Sequence, residues 1–185
     1  MAHSLPYLEK PLIAEQVVVR DAAERDIPEI LIAYQDDPEL HQRMGEDQPP
    51  SGAELGARTE HERADRALGT HATLTILEPG SDVCRGQIYV HHIDWEHARA
   101  ELGIWLVPQA RGRGLGRAAL RLVAAWLSHD SGFQRVDILT APDNLAMVRS
   151  AEAAGFLFEG VLRRYMRERG TRIDAAVLSI LPSDL

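Results

Sequence analysis

Arg111-Gly-Arg-Gly-Leu-Gly-Arg117 packs three arginines and three glycines into one short stretch. The apolar run Leu102–Val107 precedes it, and Leu115, Ala118, Ala119, Leu122, Val123 and Trp126 follow at helical spacing. That order predicts a strand, a turn and a helix. Gly112, Gly114 and Gly116 allow backbone N–H groups to approach a ligand closely, and the helix N-terminus adds a positive dipole. Arg111, Arg113 and Arg117 add charge around the same turn, so the ligand implied carries phosphate. A nucleoside-triphosphatase loop would need Gly-Lys-Ser/Thr, and this stretch has no lysine. Counted from Gly112, the sixth position of a dinucleotide fingerprint is Arg117 instead of glycine, and such a loop usually follows the first strand of its domain. Here about half the chain precedes it.

A second set of residues could move a proton. If the polar connection Asp94–Arg99 closes symmetrically between two strands, His92 faces Glu101 on the side shared with Gly103 and Trp105. An imidazole beside a carboxylate can deprotonate an ammonium, directly or through water. A structural cross-strand ion pair is the plainer alternative. His91, His92 and His97 surround the same hairpin, but neighbouring strand residues point to opposite faces, so no metal site is expected.

The elements that must position these groups read as strand, two helices, three strands, helix, strand, helix, two strands. Gln16–Asp21 is the first strand. Asp26 caps a helix burying Ile27, Ile30, Leu31 and Tyr34. Ser51-Gly-Ala-Glu54 is a capping box opening a polar helix to about Leu68, with Leu55 nearly its only large apolar residue before Leu68, so this helix should lie loosely on the surface. Strands Thr73–Leu77 and Val83–Ile93 flank a Pro-Gly turn, and Ala100–Val107 leads into the glycine loop. Gln134–Thr140, a helix from Asp143 or Asn144 to Ala154, and strands Phe156–Met166 and Thr171–Leu181 complete the chain. The class is α/β, with a single mixed, mostly antiparallel sheet of six to seven strands and about four helices. Residues 1–14 read as a lead-in segment and 15–185 as one domain.

Composition narrows the function. The net charge of −8 argues against nucleic-acid binding and suits a cationic substrate. Acidic Asp36–Asp47 could help to bind one. Cys84, the single cysteine, excludes an internal disulfide and is expected as a packed thiol. With no membrane-length apolar run and no signal-peptide pattern, a cytoplasmic protein is expected.

The stretch Arg111–Gly116 fits R/Q-x-x-G-x-G/A and resembles the pyrophosphate-binding motif of the GNAT acetyltransferases, which use it for coenzyme A. The block Asp143–Phe156 resembles that family's second motif, with Asn144 followed twelve positions later by Phe156. Gly86–Ile93, Glu101–Leu106 and Glu159–Arg163 resemble the branch containing the RimJ/RimL ribosomal-protein N-terminal acetyltransferases. The resemblance covers about residues 15–180 and implies the GNAT fold with acetyl-CoA as cosubstrate. It implies that Trp105, Leu106 and Val107 guide the pantetheine arm and polarise the thioester, while Asn144, Met147 and Arg149 border that arm. Arg111, Gly112, Arg113, Gly114, Leu115, Gly116 and Arg117 would hold the pyrophosphate. Many members place a proton-donating tyrosine seven residues after the Asn; here that position is Ala151, and Met147 replaces a serine found in the branch. The activity implied is direct acetyl transfer to a primary amine, a protein N-terminus above all. A small amine (amino acid, polyamine or aminoglycoside) and a non-catalytic coenzyme-A-binding module are the alternatives. Dimers are common in the family.

Overall fold

The computed structural model describes residues 4–168 and 170–185. Eight strands form one sheet in the order β1-β2-β3-β4-β5-β6-β8-β7. They are β1 (Leu12–Ala14), β2 (Val17–Asp21), β3 (Ala72–Leu77), β4 (Gly86–Asp94), β5 (Arg99–Leu106), β6 (Arg135–Thr140), β7 (Leu157–Glu168) and β8 (Thr171–Ile180). The helices are α1 (Ile27–Asp36), the single turn α2 (Leu40–Arg43), α3 (Gly52–Leu68), α4 (Leu115–His129) and α5 (Leu145–Ala154). The sheet therefore has one strand more than expected. Three-residue β1, paired to β2, is too short to show an alternating pattern. The link between β7 and β8 includes Arg169, which lies outside the described residues.

All neighbouring strands run antiparallel except β5 and β6. These two pair in parallel over three rungs only, Arg99↔Arg135, Ala100↔Val136 and Glu101↔Asp137. Beyond Glu101 and Asp137 the ladder stops, and one edge of β5 from Leu102 to Leu106 has no strand partner among the described residues. This gap positions the site.

Each sheet face has its own helix layer. α4 carries the buried stripe Leu115, Ala119, Leu120, Val123, Ala124, Trp126 and Leu127. The stripe is centred slightly away from the expected one, with Ala118 and Leu122 only partly buried against the core. On the other face, α1 buries Ile30, Ala33 and Tyr34. Asp26 stands at its N-cap as expected, but its side chain makes no capping hydrogen bond. It is buried, accepts two hydrogen bonds from Arg20 at 2.9 and 2.6 Å and another from Thr75 at 2.7 Å, and so ties β2 and β3 to the start of α1. Burial alone would raise the Asp26 pKa, but these donors hold it below the usual carboxylate range.

α3 also departs from expectation. Its capping box forms as read, with Ser51 N–H donating to Glu54 and Glu54 N–H to Ser51 Oγ. The helix does not lie loosely, because Arg66 is buried to 1% exposure. Arg66 reaches Asp21 on β2, Glu62 at 3.1 Å and the Pro6 carbonyl at 2.8 Å. Apolar periodicity could not show this anchor, because the buried group is charged.

Candidate active site

The glycine loop stands at the end of β5, where the β5–β6 gap opens. Pro108–Ala110 make one 3₁₀ turn, Gly112 and Gly114 adopt φ of 69° and 83°, and α4 starts at Leu115 with Gly114 as N-cap. Gly114 is favoured by its left-handed φ; a Cβ there would also lie 2.7 Å from Gln16 Oε1, the end of a flexible side chain that can move aside. Read from Gly114, the turn also satisfies G-x-G-x-x-A through Gly116 and Ala119. What excludes a dinucleotide fold is therefore the mainly antiparallel sheet and not the motif.

Of the loop arginines, two are already engaged. Arg111 donates through Nε to the Leu106 carbonyl at 3.0 Å and pairs with Asp37. Arg113 pairs with Glu78 at 2.7 Å. Arg117 is exposed and has no ion-pair partner among the described residues. The first turn of α4 and Arg117 thus offer the open positive field, and Arg111 and Arg113 exchange partners if they also meet phosphate.

Strand parity divides the three residues expected to guide the pantetheine arm. Val107 N–H donates to the Arg85 carbonyl at 2.9 Å, towards β4. Alternation then turns the backbone of Trp105 towards β4 and that of Ile104 and Leu106 into the gap. Ile104 is the edge residue the sequence reading missed; counting outward from a paired neighbour finds it. Trp105 instead contributes its buried side chain, donating from the indole to Tyr89 Oη at 3.0 Å. Across the gap, Asn144 caps α5 by accepting from Met147 N–H at 3.3 Å and donates to Thr140 Oγ1 at 3.1 Å. Met147 is half-buried and Arg149 exposed. Ala151 is fully buried, so no hydroxyl stands at that position.

The ladder between β4 and β5 is one residue off the expected register: Glu101 pairs with His91, not His92. A bulge follows, with His92 at φ 47°. It turns the imidazole back, so that His92 Nδ1 lies 2.9 Å from Glu101 Oε2 after all. It also corrects the expectation that the two histidines point to opposite faces: His91 Nδ1 is 3.0 Å from His92 Nδ1. His91, His92 and Glu101 each bring a ligand-type atom within 4.8 Å of the others. The separations of 2.9 and 3.0 Å are hydrogen-bond distances, shorter than the ~3.3 Å between ligand atoms around a tetrahedral zinc with bonds near 2.0 Å. Burial pushes His91 down to about 4, helped by its histidine neighbours, so it is neutral at pH 7. Burial raises Glu101; His92 opposes this and Asp137 adds to it.

Beyond His91 on the same face, Tyr89 and Gln87 lead to a cavity of about 480 Å³ between α1, α3, β3 and β4, with Ile27, Ile30, Met44 and Leu55 as apolar walls. Its Glu46 pairs with Arg58 at 2.5 Å and accepts from Tyr34 Oη at 3.1 Å. Asp37 is shared between Arg43 and Arg111. Much of the charge of the acidic loop is thus spent within the protein. Cys84 is buried, with its thiol pushed up to about 12 by burial, and is chemically quiet.

A glycine loop between β5 and α4, beside a gapped strand pair and with the half-buried carboxylate of Glu101 on β5, defines a class, and comparison with known proteins agrees. The family model for the acetyltransferase (GNAT) domain matches residues 16–157, and the chain belongs to this family. Two Bacillus subtilis (strain 168) proteins are similar in sequence. YoaA, described as an uncharacterized N-acetyltransferase, is 33% identical over 52% of this chain and 54% of its own. YjcK, described as a probable N-acetyltransferase, is 34% identical over 65% of this chain and 58% of its own. The chain thus spans a little over half the length of these relatives. Among solved structures, Mycobacterium smegmatis RimJ in complex with CoA-disulfide has a TM-score of 0.82 at 20% identity, covering 91% of this chain and 83% of that one. At that identity the likeness is one of fold. No helix among the described residues is long and apolar enough to cross a membrane.

Proposed function

We propose that the protein is an acetyl-CoA-dependent N-acetyltransferase acting on a primary amine, with a protein N-terminal α-amine as the favoured acceptor. The observation that carries this reading is the β5–β6 ladder ending at Glu101 and Asp137, which leaves the backbone of Ile104 and the N–H of Leu106 unpaired by any strand of the described residues near the α4 N-terminus, with the Leu106 carbonyl held by Arg111. Acetyl-CoA supplies an activated thioester. The chain supplies alignment: edge groups of β5 for the amides of the arm, and N–H groups of the glycine loop with Arg117 for the pyrophosphate.

An α-amine titrates near pH 8, so Glu101 needs only to accept the proton of the fraction that arrives charged, directly or through His92. Attack on the thioester is then direct, with much of the rate coming from holding the two reactants together. A small cationic amine is the second reading, and the cavity beside Tyr89 favours it. A coenzyme-A-binding module without catalysis, the third, draws on the buried Ala151.

A screen measuring free thiol released from acetyl-CoA across peptides with different N-termini, amino acids, polyamines and aminoglycosides tests the proposal. Turnover with peptides above all is the expected result. Turnover confined to small amines moves the assignment to the second reading, and tight acetyl-CoA binding without any turnover to the third. In Glu101→Gln, kcat/KM should fall and its acidic limb disappear while acetyl-CoA affinity stays unchanged; a wild-type pH profile would remove Glu101 from the mechanism.

A further inference from the structure

One row of side chains crosses the sheet at the point where the ladder ends: His91 on β4, Glu101 on β5, Asp137 on β6 and Ser179 on β8 are successive register partners. Partners share a face, and neighbouring strands are ~4.8 Å apart, so the carboxylates of Glu101 and Asp137 stand side by side. Both are largely withdrawn from water, with side-chain exposures of 17% and 13%. Between them they share one close guanidinium and one imidazole. Arg135 Nε lies 2.7 Å from Asp137 Oδ1, yet that oxygen is buried and receives no aligned hydrogen bond. The same guanidinium is also forked onto Glu159 of β7, donating at 2.8 and 2.7 Å, and the Ser179 hydroxyl donates to the same carboxylate at 2.6 Å. One guanidinium therefore serves Asp137 and Glu159, while Glu101 has only His92.

We propose that Asp137 is a positioning residue for Glu101: across the parallel seam its carboxylate sets the pH at which Glu101 takes up a proton. This rests on the reading of Glu101 as the group that deprotonates the acceptor. The groups facing Glu101 are His91 and His92 from β4, Arg99 on its own strand, Arg135 and Asp137 from β6, and Glu159 behind them on β7. With Arg99 paired to Asp94 at 3.1 Å, three carboxylates against Arg135 leave the seam negative, which favours arrival of an ammonium and makes Glu101 a stronger base. The pKa directions agree: burial raises Asp137 as it does Glu101, Arg135 pulls Asp137 down, and Glu159 pushes it up.

The test follows Glu101 directly, by carboxyl-¹³C NMR titration of the full-length protein, its signal assigned by its loss in Glu101→Gln. In Asp137→Asn, Glu101 should titrate about one pH unit lower than in wild type, as expected when a like charge in a shared site is removed. The acidic limb of kcat/KM should move the same way. Glu159→Gln, which leaves Arg135 to Asp137 alone, should give a smaller shift of the same sign. A Glu101 titration at the wild-type pH in Asp137→Asn overturns the proposal; if that variant does not fold, the same result in Glu159→Gln does. A moved NMR titration with an unmoved kinetic limb upholds Asp137's hold on Glu101 and overturns instead the assignment of Glu101 as base.

Discussion

α4 and α3 cover opposite faces of the sheet and are held there by different forces. α4 buries a continuous apolar stripe ending in Trp126 and Leu127, and its N-terminus is the proposed phosphate site. α3 buries Leu55 and one charged side chain, Arg66, which is fixed by Asp21, Glu62, the Pro6 carbonyl and the ring of Tyr7 at 4.4 Å. The first helix is placed by apolar contact, which stabilises in proportion to area. The second is placed by a buried ionic node, which fixes geometry while adding little net stability. The α4 side of the molecule is thus built on packing and the α3 side on charge.

The sharpest way to break this contrast is at Arg66. Arg66→Met strands Asp21 and Glu62 without their cation, and should cost about 3–5 kcal/mol in denaturant unfolding. Acetyl-CoA affinity of the folded fraction should be unchanged. A loss below about 1 kcal/mol, the worth of an exposed pair, would show that the node does not hold α3. The complementary change on the α4 side is Gly114→Val. The left-handed φ should cost about 1–3 kcal/mol of stability. Here acetyl-CoA binding, read by calorimetry, should weaken about tenfold or more, or about 1.4 kcal/mol. Undiminished affinity would separate the turn from the ligand.

The smallest effect concerns Glu159, which Arg135 and then Ser179 hold down at about 2, against an ordinary value of 4.5. A lowered folded value means its contribution is full above pH 4.5 and fades as pH falls towards 2. The Tm gap between wild type and Glu159→Gln should therefore narrow on acidification. A gap constant from pH 6 to 2 would refute it.

These differences also explain what the sequence could tell. The glycine loop, α4 and the α5 cap at Asn144 were legible because turn chemistry and apolar spacing are local. The Glu101–His92 contact was anticipated through the wrong register; it survives because His92 enters a left-handed bulge that no glycine announces. Asp137 was invisible for a different reason. It becomes Glu101's neighbour only when two parallel strands from distant parts of the chain pair, and strands read one at a time carry no such information. Arg66 was missed because a period search for apolar residues passes over charges. The acids of the 36–47 loop were seen, but not the arginines that occupy them.

The parallel seam has one more consequence. Strands β1–β5 and β6–β8 form two plates, and in the sheet itself only the rungs from Arg99 to Glu101 clasp them together. Above that clasp they stand apart, with α4 in contact with β2, β5 and β6 as a strap behind. A molecule lodged between the plates and gripped from both sides would act as a rivet. Occupancy should then slow amide exchange in β6 and β8 as well as in β5, so that the donor becomes a temporary part of the sheet that receives it.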